Sequence, residues 1–536
     1  MAIKISGSTI IDDSRVLINT GNVGVGTTNP TSAVDAGNTS VVHAGIVTAN
    51  YLYGDGSNIT NSPGFEPDAQ ENLYAGTCAG NASDADTCFN VAIGRCAGAN
   101  LSSGEHNVFI GCGAARYGNG GTANIFLGKS AGGGLLALSG GCNFVGGYAA
   151  GQNINSGENN VLIGMRAGAE NCAQDYNIKL GACAGADAST GGCNVILGRC
   201  ANSEATESRC NIFLGVDVAK CQMGSNNIAM GECSFLGSST LGDNVGDENI
   251  AFGRCAGKCN TSGCYNIFLG KNAGKSNTTG LDNIFLGRCA GENTTSGNGN
   301  NIIGHDAGKN LSGGGRNVFL GQYAGKGNSS FTSTDNIFIG CGSGALISTA
   351  AGSHNIGLGE ATLRSLQSTG RGNVAIGKEA GQSLTTACNN FFGGYGAAKN
   401  LTSGNYNIFF GKCAGCGDST SKLTGNSNIA IGKESGNSLT SGALNIFFGH
   451  QAGYCNSTGT CNFAAGMFAA RCRNSGTGIF IGKYAGMGCN GATGSDNIAL
   501  GSEAGRCGTN GDQNILLGNA AGKCGTTAKY NVFLGY

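Results

Sequence analysis

The sequence predicts an all-β fold: a parallel β-solenoid, or β-roll, of about 27 coils. Three observations carry this. One phrase recurs from Asn72 to Tyr536: Asn, then Ile or Val, two more apolar residues, Gly, two variable residues, Ala and Gly. It reads NIFLGKNAG at Asn266–Gly274 and NIFLGRCAG at Asn283–Gly291. Its central glycines begin at Gly76, Gly94 and Gly111 and end at Gly501, Gly518 and Gly535, with a mean period of about 17.7 residues and a commonest step of about 17. A period this short belongs to a coil stacked on the one before it. Each phrase also holds a short run of β-formers closed by Gly, and helical periodicity is nowhere in the array. Finally, Gly supplies 100 of the 536 residues and Pro only 3, without the every-third spacing of collagen.

The chain divides into residues 1–60, an N-terminal β segment for attachment or assembly, 61–71, a linker, and 72–536, the repeat rod. The first part reads as short strands and turns, KISGSTIIDD and SRVLINTGNVGVGTTNP among them. All three prolines, Pro30, Pro63 and Pro67, lie in the first two parts, the last two of them in NSPGFEPDAQEN. At the usual strand spacing, 27 coils give a rod about 130 Å long.

Within a coil, numbered from its Asn, alternation places the second and fourth residues on one face of the strand and the third on the other. The second and fourth are Ile, Val, Leu or Phe in most coils and read as the interior. Ala or Ser at the eighth, as at Ala273, Ala290, Ala307 and Ala324, lets the opposite wall close on them. The third should then be polar, yet it is often Phe: Phe109, Phe126, Phe213, Phe268, Phe285, Phe319, Phe338, Phe409, Phe447, Phe480 and Phe533. An outward stripe of Phe does not stay in water, so this stripe is expected to be buried between chains, in a homotrimer about the rod axis. The central Gly is expected to take a positive φ or admit a neighbouring backbone. The Asn column, including Asn90, Asn107, Asn266, Asn283 and Asn317, is expected to form a ladder of stacked amides.

Cysteine is abundant, at 26. Eight lie at the seventh position, and a second group falls just before the next Asn. Four coils hold both: Cys78 with Cys88, Cys183 with Cys193, Cys200 with Cys210, and Cys255 with Cys264. These are candidate disulfides, across one coil or between neighbouring coils. The alternative is that a small apolar thiol fits a slot that Ala and Asn also fill. No CxxC…CxxC or His pairing recurs, so a metal site is not expected.

Two resemblances follow from quoted text. GNVGVGTTNPTSAVD (Gly21–Asp35) and GIVTANYLYGDGSNIT (Gly45–Thr60) resemble N-terminal segments of fibre and other structural proteins of tailed phages of cyanobacteria. NVAIGRCAG (Asn90–Gly98), NVAIGKEAG (Asn373–Gly381) and NIAIGKESG (Asn428–Gly436) resemble the head repeats of trimeric autotransporter adhesins. The second resemblance implies a trimer of left-handed parallel β-rolls that binds host surfaces. The commonest step here is longer than that family's usual repeat. Neither a signal peptide nor a C-terminal membrane anchor is read in the sequence, which sets the chain apart from an autotransporter.

No catalytic constellation emerges. His43, His106, His305, His354 and His450 keep no common column, and the acids, Glu204, Asp243, Asp282 and Asp335 among them, fall in turns. Sequons at Asn260, Asn277, Asn293, Asn400 and Asn456 are those expected by chance in Asn-, Ser- and Thr-rich turns. Threonines such as Thr278, Thr279, Thr294 and Thr295 cluster in turns without a kept column, which argues against ice binding. A net charge of −1 attracts neither nucleic acid nor anionic lipid. The expectation is a structural fibre, not an enzyme, with no cofactor and no membrane insertion. It is virion or extracellular, and its partners are its own copies, other fibre proteins and a host receptor. The alternative is an extracellular filament or matrix protein stacking end to end, suggested by a chain that stops inside a coil at NVFLGY (Asn531–Tyr536).

Overall fold

The computed structural model describes strand segments 3–5 and 8–11 and residues 67–535, except 135–137, 188–189, 238–243, 347–351, 368, 418–419, 421, 475, 490–491 and 526. The chain forms two compact units, Met1–Ser62 and Pro63–Tyr536. In the first, Ile3–Ile5 and Ser8–Ile11 pair antiparallel. The phage-like text at 21–35 and 45–60, and the end residue Tyr536, lie outside the described residues.

The second unit is a parallel β-solenoid. Its short strands, mostly three residues each, run from Leu73–Ala75 to Val532–Leu534 and pair parallel in chain order. Register is strict: Ile267, Phe268 and Leu269 face Ile284, Phe285 and Leu286 across one step. The first strand pairs only forward and the last only backward, so the described ladder is open at both ends. Two small parallel pairs, Thr190–Gly192 with Glu207–Arg209 and Leu311–Gly313 with Phe331–Thr332, flank it.

Each strand stops at its central Gly for two reasons. Gly270 has φ +130°, and a Cβ there would lie 2.6 Å from the carbonyl oxygen of Gly287 in the next coil. Only a residue without Cβ allows the coils to approach this closely. The chain then reverses: the amide of Ala273 donates to Gly270 at 3.1 Å, and the next amide, Gly274, donates to Ala290 one coil on at 2.9 Å. The residue between them, Asn272, sits in the left-handed region at φ 59°.

The structure reverses the expected faces of the strand. The third position points into the coil, and Phe109, Phe126, Phe213, Phe268, Phe285, Phe319, Phe338, Phe409 and Phe447 are fully buried within one chain, with Phe480 nearly so. Phe533, in the last strand, is partly exposed. The Phe stripe is therefore the coil interior and not a surface between chains. The second and fourth positions look outward: a typical strand is buried at its centre and half-exposed at both flanks. The reason is width. A narrow coil admits one large side chain per strand, and Ala at the eighth position is what closes over it.

In several coils the lumen is filled by compensation between two columns, the third and twelfth positions, although Phe392 and Leu401 of one coil are both fully buried. Ala92, Ala375 and Ala430 at the third are matched by buried Leu101, Leu384 and Leu439 at the twelfth. Phe268 and Phe285 are matched by the smaller Asn277 and Thr294. In these coils a small residue at one position is offset by a larger one at the other, as volume-conserving packing requires. Successive rings touch, with Phe268 and Phe285 centroids 5.5 Å apart and Phe109 and Phe126 5.4 Å apart.

Candidate interaction surface

With Phe inside, the outer face of the sheet is built from the second and fourth residues of every coil. It is apolar along most of the array, interrupted by Asn301 and by Gly146 and Gly393: Ile125, Ile163, Ile178, Ile212, Ile284 and Leu286 are all exposed, Ile284 by 37% and Leu286 by 41%. It continues through Ile376, Ile408, Phe410, Phe448, Ile479 and Ile515, with Phe410 reaching 53%. Since parallel register stacks like positions, these side chains form two straight columns side by side, one step of about 4.8 Å per coil. Apolar side chains aligned in columns in this way differ from the singly scattered apolar residues common on protein surfaces.

The wall carrying the seventh and tenth positions has the opposite character. There an acid in one coil meets a lysine 20 residues on: Asp306 with Lys326 at 3.3 Å, Glu379 with Lys399 at 2.7 Å and Glu503 with Lys523 at 2.6 Å. The hydrogen bond from Lys523 holds the Glu503 carboxyl below its ordinary range, and the one that Lys399 donates to Glu379 holds the Lys399 ammonium above its own. Ion pairs also form in the last column, as between Arg316 and Asp335, whereas the outward positions of the strands are mostly apolar.

The strand face is held in shape by the Asn column. The amide and side-chain nitrogen of Asn107 both donate to Oδ1 of Asn90, at 2.9 and 3.0 Å. Asn283 does the same to Asn266, and Asn317 to Asn300. Each Nδ2 also reaches a turn carbonyl, Gly297 in the case of Asn283 at 2.7 Å. All five residues of the expected column, Asn90, Asn107, Asn266, Asn283 and Asn317, are buried and lie in this ladder. At Gly478 the side chain is missing, and the ladder has a gap between Asn462 and Asn497.

Sequence reading missed a second ladder, at the thirteenth position. The hydroxyls of Thr261, Thr278 and Thr295 donate to the carbonyls of Thr278, Thr295 and Ser312, at 3.0, 3.0 and 2.8 Å. The threonines therefore do keep a column, locally. Its signal was the 17-residue spacing of Thr261, Thr278 and Thr295 in turns of equal length. Sequon residues Asn260, Asn277 and Asn456 point into the lumen, fully or almost fully buried.

The cysteines are placed differently from the within-coil expectation. Cys78, Cys88, Cys183, Cys193, Cys200, Cys210, Cys255 and Cys264 all carry free thiols. The disulfide present joins Cys455 to Cys472, equivalent positions of successive coils. Pairs within a coil fall in different columns, whereas Cys455 and Cys472 share one column of successive coils.

The titratable groups weighed for catalysis do not converge. Glu204 pairs with Lys220, Asp335 with Arg316 and His354, and His305 with Asp306. His106 stacks on Phe89. His43 and Asp243 lie outside the described residues. Among the described residues no three His, Cys, Asp or Glu side chains group as metal ligands, and no helix is long and apolar enough to cross a membrane. No protein-family model matches this chain, and no curated protein matches it.

Proposed function

We propose that the chain is a structural fibre subunit whose apolar strand face packs against the same face of two further copies, giving a homotrimeric rod. The observation that carries this is the double column typified by Ile284 and Leu286, exposed on a sheet whose other face is already filled. A partner for this strip must be apolar over the same length and repeat at the same step. Another copy of the chain meets both requirements. Three parallel copies in register bring the second-position column of one chain against the fourth-position column of the next, a head-to-tail contact that closes into a ring.

As a rod, the assembly suits a virion appendage or extracellular fibre that spans distance and presents a surface to a host. The phage-like N-terminal text and the adhesin-like repeats support that setting, and the resemblance to adhesin heads supports a left-handed coil. Sedimentation equilibrium on the purified protein tests the reading. A particle of three times the 53.4 kDa chain mass is expected, dissociated by Ile267→Lys, Ile284→Lys and Leu286→Lys together. A stable monomer at micromolar concentration overturns it.

A further inference from the structure

Equivalent side chains of neighbouring coils come close enough to join covalently, and cysteines occupy such equivalent positions in consecutive coils. The two coils beginning at Asn177 and Asn194 hold two such pairs: Cys183 and Cys200 at the seventh position, Cys193 and Cys210 at the last. Backbone register aligns both. The amide of Cys200 donates to Ala182 at 2.9 Å, and that of Cys210 to Gly192 at 3.0 Å, each carbonyl belonging to the residue just before the partner cysteine.

Other positions of the same ladder show how close side chains come in these columns. In the seventh column, a Cβ placed on Gly396 would lie 3.5 Å from Sγ of Cys413, its equivalent one coil on. In the last column, the rings of Phe89 and His106 stack with centroids 5.0 Å apart. Strand spacing of about 4.8 Å falls inside the Cα separations that disulfides span. Cys455 and Cys472, also 17 residues apart in consecutive coils, are joined.

We propose that Cys183–Cys200 and Cys193–Cys210 are a redox-formed double staple across one pair of coils. All four thiols are at least partly exposed, so an oxidant can reach them. The chemistry is thiol–disulfide exchange with a small-molecule disulfide. One thiolate attacks it to form a mixed disulfide and expel a thiol, and the second thiolate displaces the other half. Two protein thiols are oxidised, and one small disulfide is reduced to two thiols.

The stapled coil carries a buried lysine in its lumen. Its third position is Lys179, fully buried, whose Nζ donates to Asn171 Oδ1 at 2.8 Å and Gln174 Oε1 at 2.9 Å. A buried lysine amine in a slot that elsewhere holds an apolar side chain weakens the stack there. Two cross-links on the same coil oppose its opening.

The test uses the full chain equilibrated with oxidised glutathione, alkylated without reductant and mapped by mass spectrometry. Cross-linked peptides joining Cys183 to Cys200 and Cys193 to Cys210 are expected, each disappearing on reduction. Amide exchange at Ile178–Leu180 should then quicken about a hundredfold on reduction, the size given by closing a loop of this length. Cys200→Ser with Cys210→Ser should show the fast rate under both conditions. Alkylation of all four thiols after oxidation overturns the proposal, as do cross-links within one coil, Cys183 to Cys193, or an exchange rate indifferent to reduction.

Discussion

Asn283 donates both its backbone amide and its side-chain nitrogen to Oδ1 of Asn266, each at 3.0 Å. Its own Oδ1 accepts the same pair of bonds from Asn300, at 3.0 and 3.1 Å. One side chain thus satisfies buried donors in the coil after it and spends its own donors on the coil before. Such a unit is complete only inside a stack, so the ladder couples each coil to both neighbours.

Asn283→Ala should therefore damage two steps. It removes the acceptor for the buried amide of Asn300 and leaves the Gly297 carbonyl without its 2.7 Å partner. The expected cost is about 3–5 kcal/mol of local stability, from several buried groups left unpaired. Amide exchange in Ile284–Leu286 and Asn301–Ile303 should rise together, while distant strands such as Val108–Ile110 stay unchanged. Asn283→Asp keeps the acceptor but loses both Nδ2 donations, and should not restore protection at pH 7.

Phe285→Ala and Ile284→Ser separate the two faces of one strand. Phe285 is fully buried in the lumen between Phe268 and the next coil, so its truncation opens a cavity and should cost about 3–5 kcal/mol. Ile284 is already 37% exposed in one chain, so the single coil loses little. In the proposed trimer it sits in the contact, and the loss should appear as faster subunit dissociation. Denaturation of the dilute chain and sedimentation of the concentrated one measure the two effects apart.

Much of this architecture was legible in the sequence: the coil, its period, the Gly stop and the Asn column all follow from repeated positions. The face assignment was not. Residues 267 to 269 read Ile-Phe-Leu, and a strand apolar at all three positions gives alternation nothing to discriminate. The deciding quantity was lumen width, visible only through the exchange of Ala92 and Leu101 against Phe268 and Asn277. That exchange joins positions nine residues apart on different walls, a relation that reading along the strand does not test. Of the two disulfide options, the within-coil one misleads for a similar reason: Cys78 and Cys88 are close in sequence, whereas the joined Cys455 and Cys472 are one period apart.

Gly270→Ala tests the close approach of coils directly. The new methyl would stand 2.6 Å from the Gly287 carbonyl oxygen at φ +130°, where an L residue is strained. Neither fault can relax without moving the next coil. Loss of ordered packing around this step is expected, seen as protease cleavage between Asn266 and Asn283. Gly299→Ala is the control: its Cβ would meet nothing closer than 3.8 Å, though its φ of +65° still costs an L residue some strain. It should leave the stack intact.

Lys179 gives the solenoid a pH dependence with a definite sign. Burial lowers its pKa from 10.5 to about 7. Between those values the folded coil holds the amine neutral while the unfolded chain holds it charged. Unfolding then takes up a proton, so stability of this coil rises with pH from about 7 to about 10 and is lowest below 7. The hydrogen bonds to Asn171 and Gln174 limit the penalty without cancelling it. Lys179→Met removes the titration but strands those two acceptors, so its stability at pH 7 should lie near that of the parent. What should vanish is the slope. Exchange protection at Ile178–Leu180, corrected for intrinsic rates, should increase from pH 7 to 9 in the parent and stay flat in the variant. Equal slopes in the two proteins would show that the ammonium finds solvent or an anion.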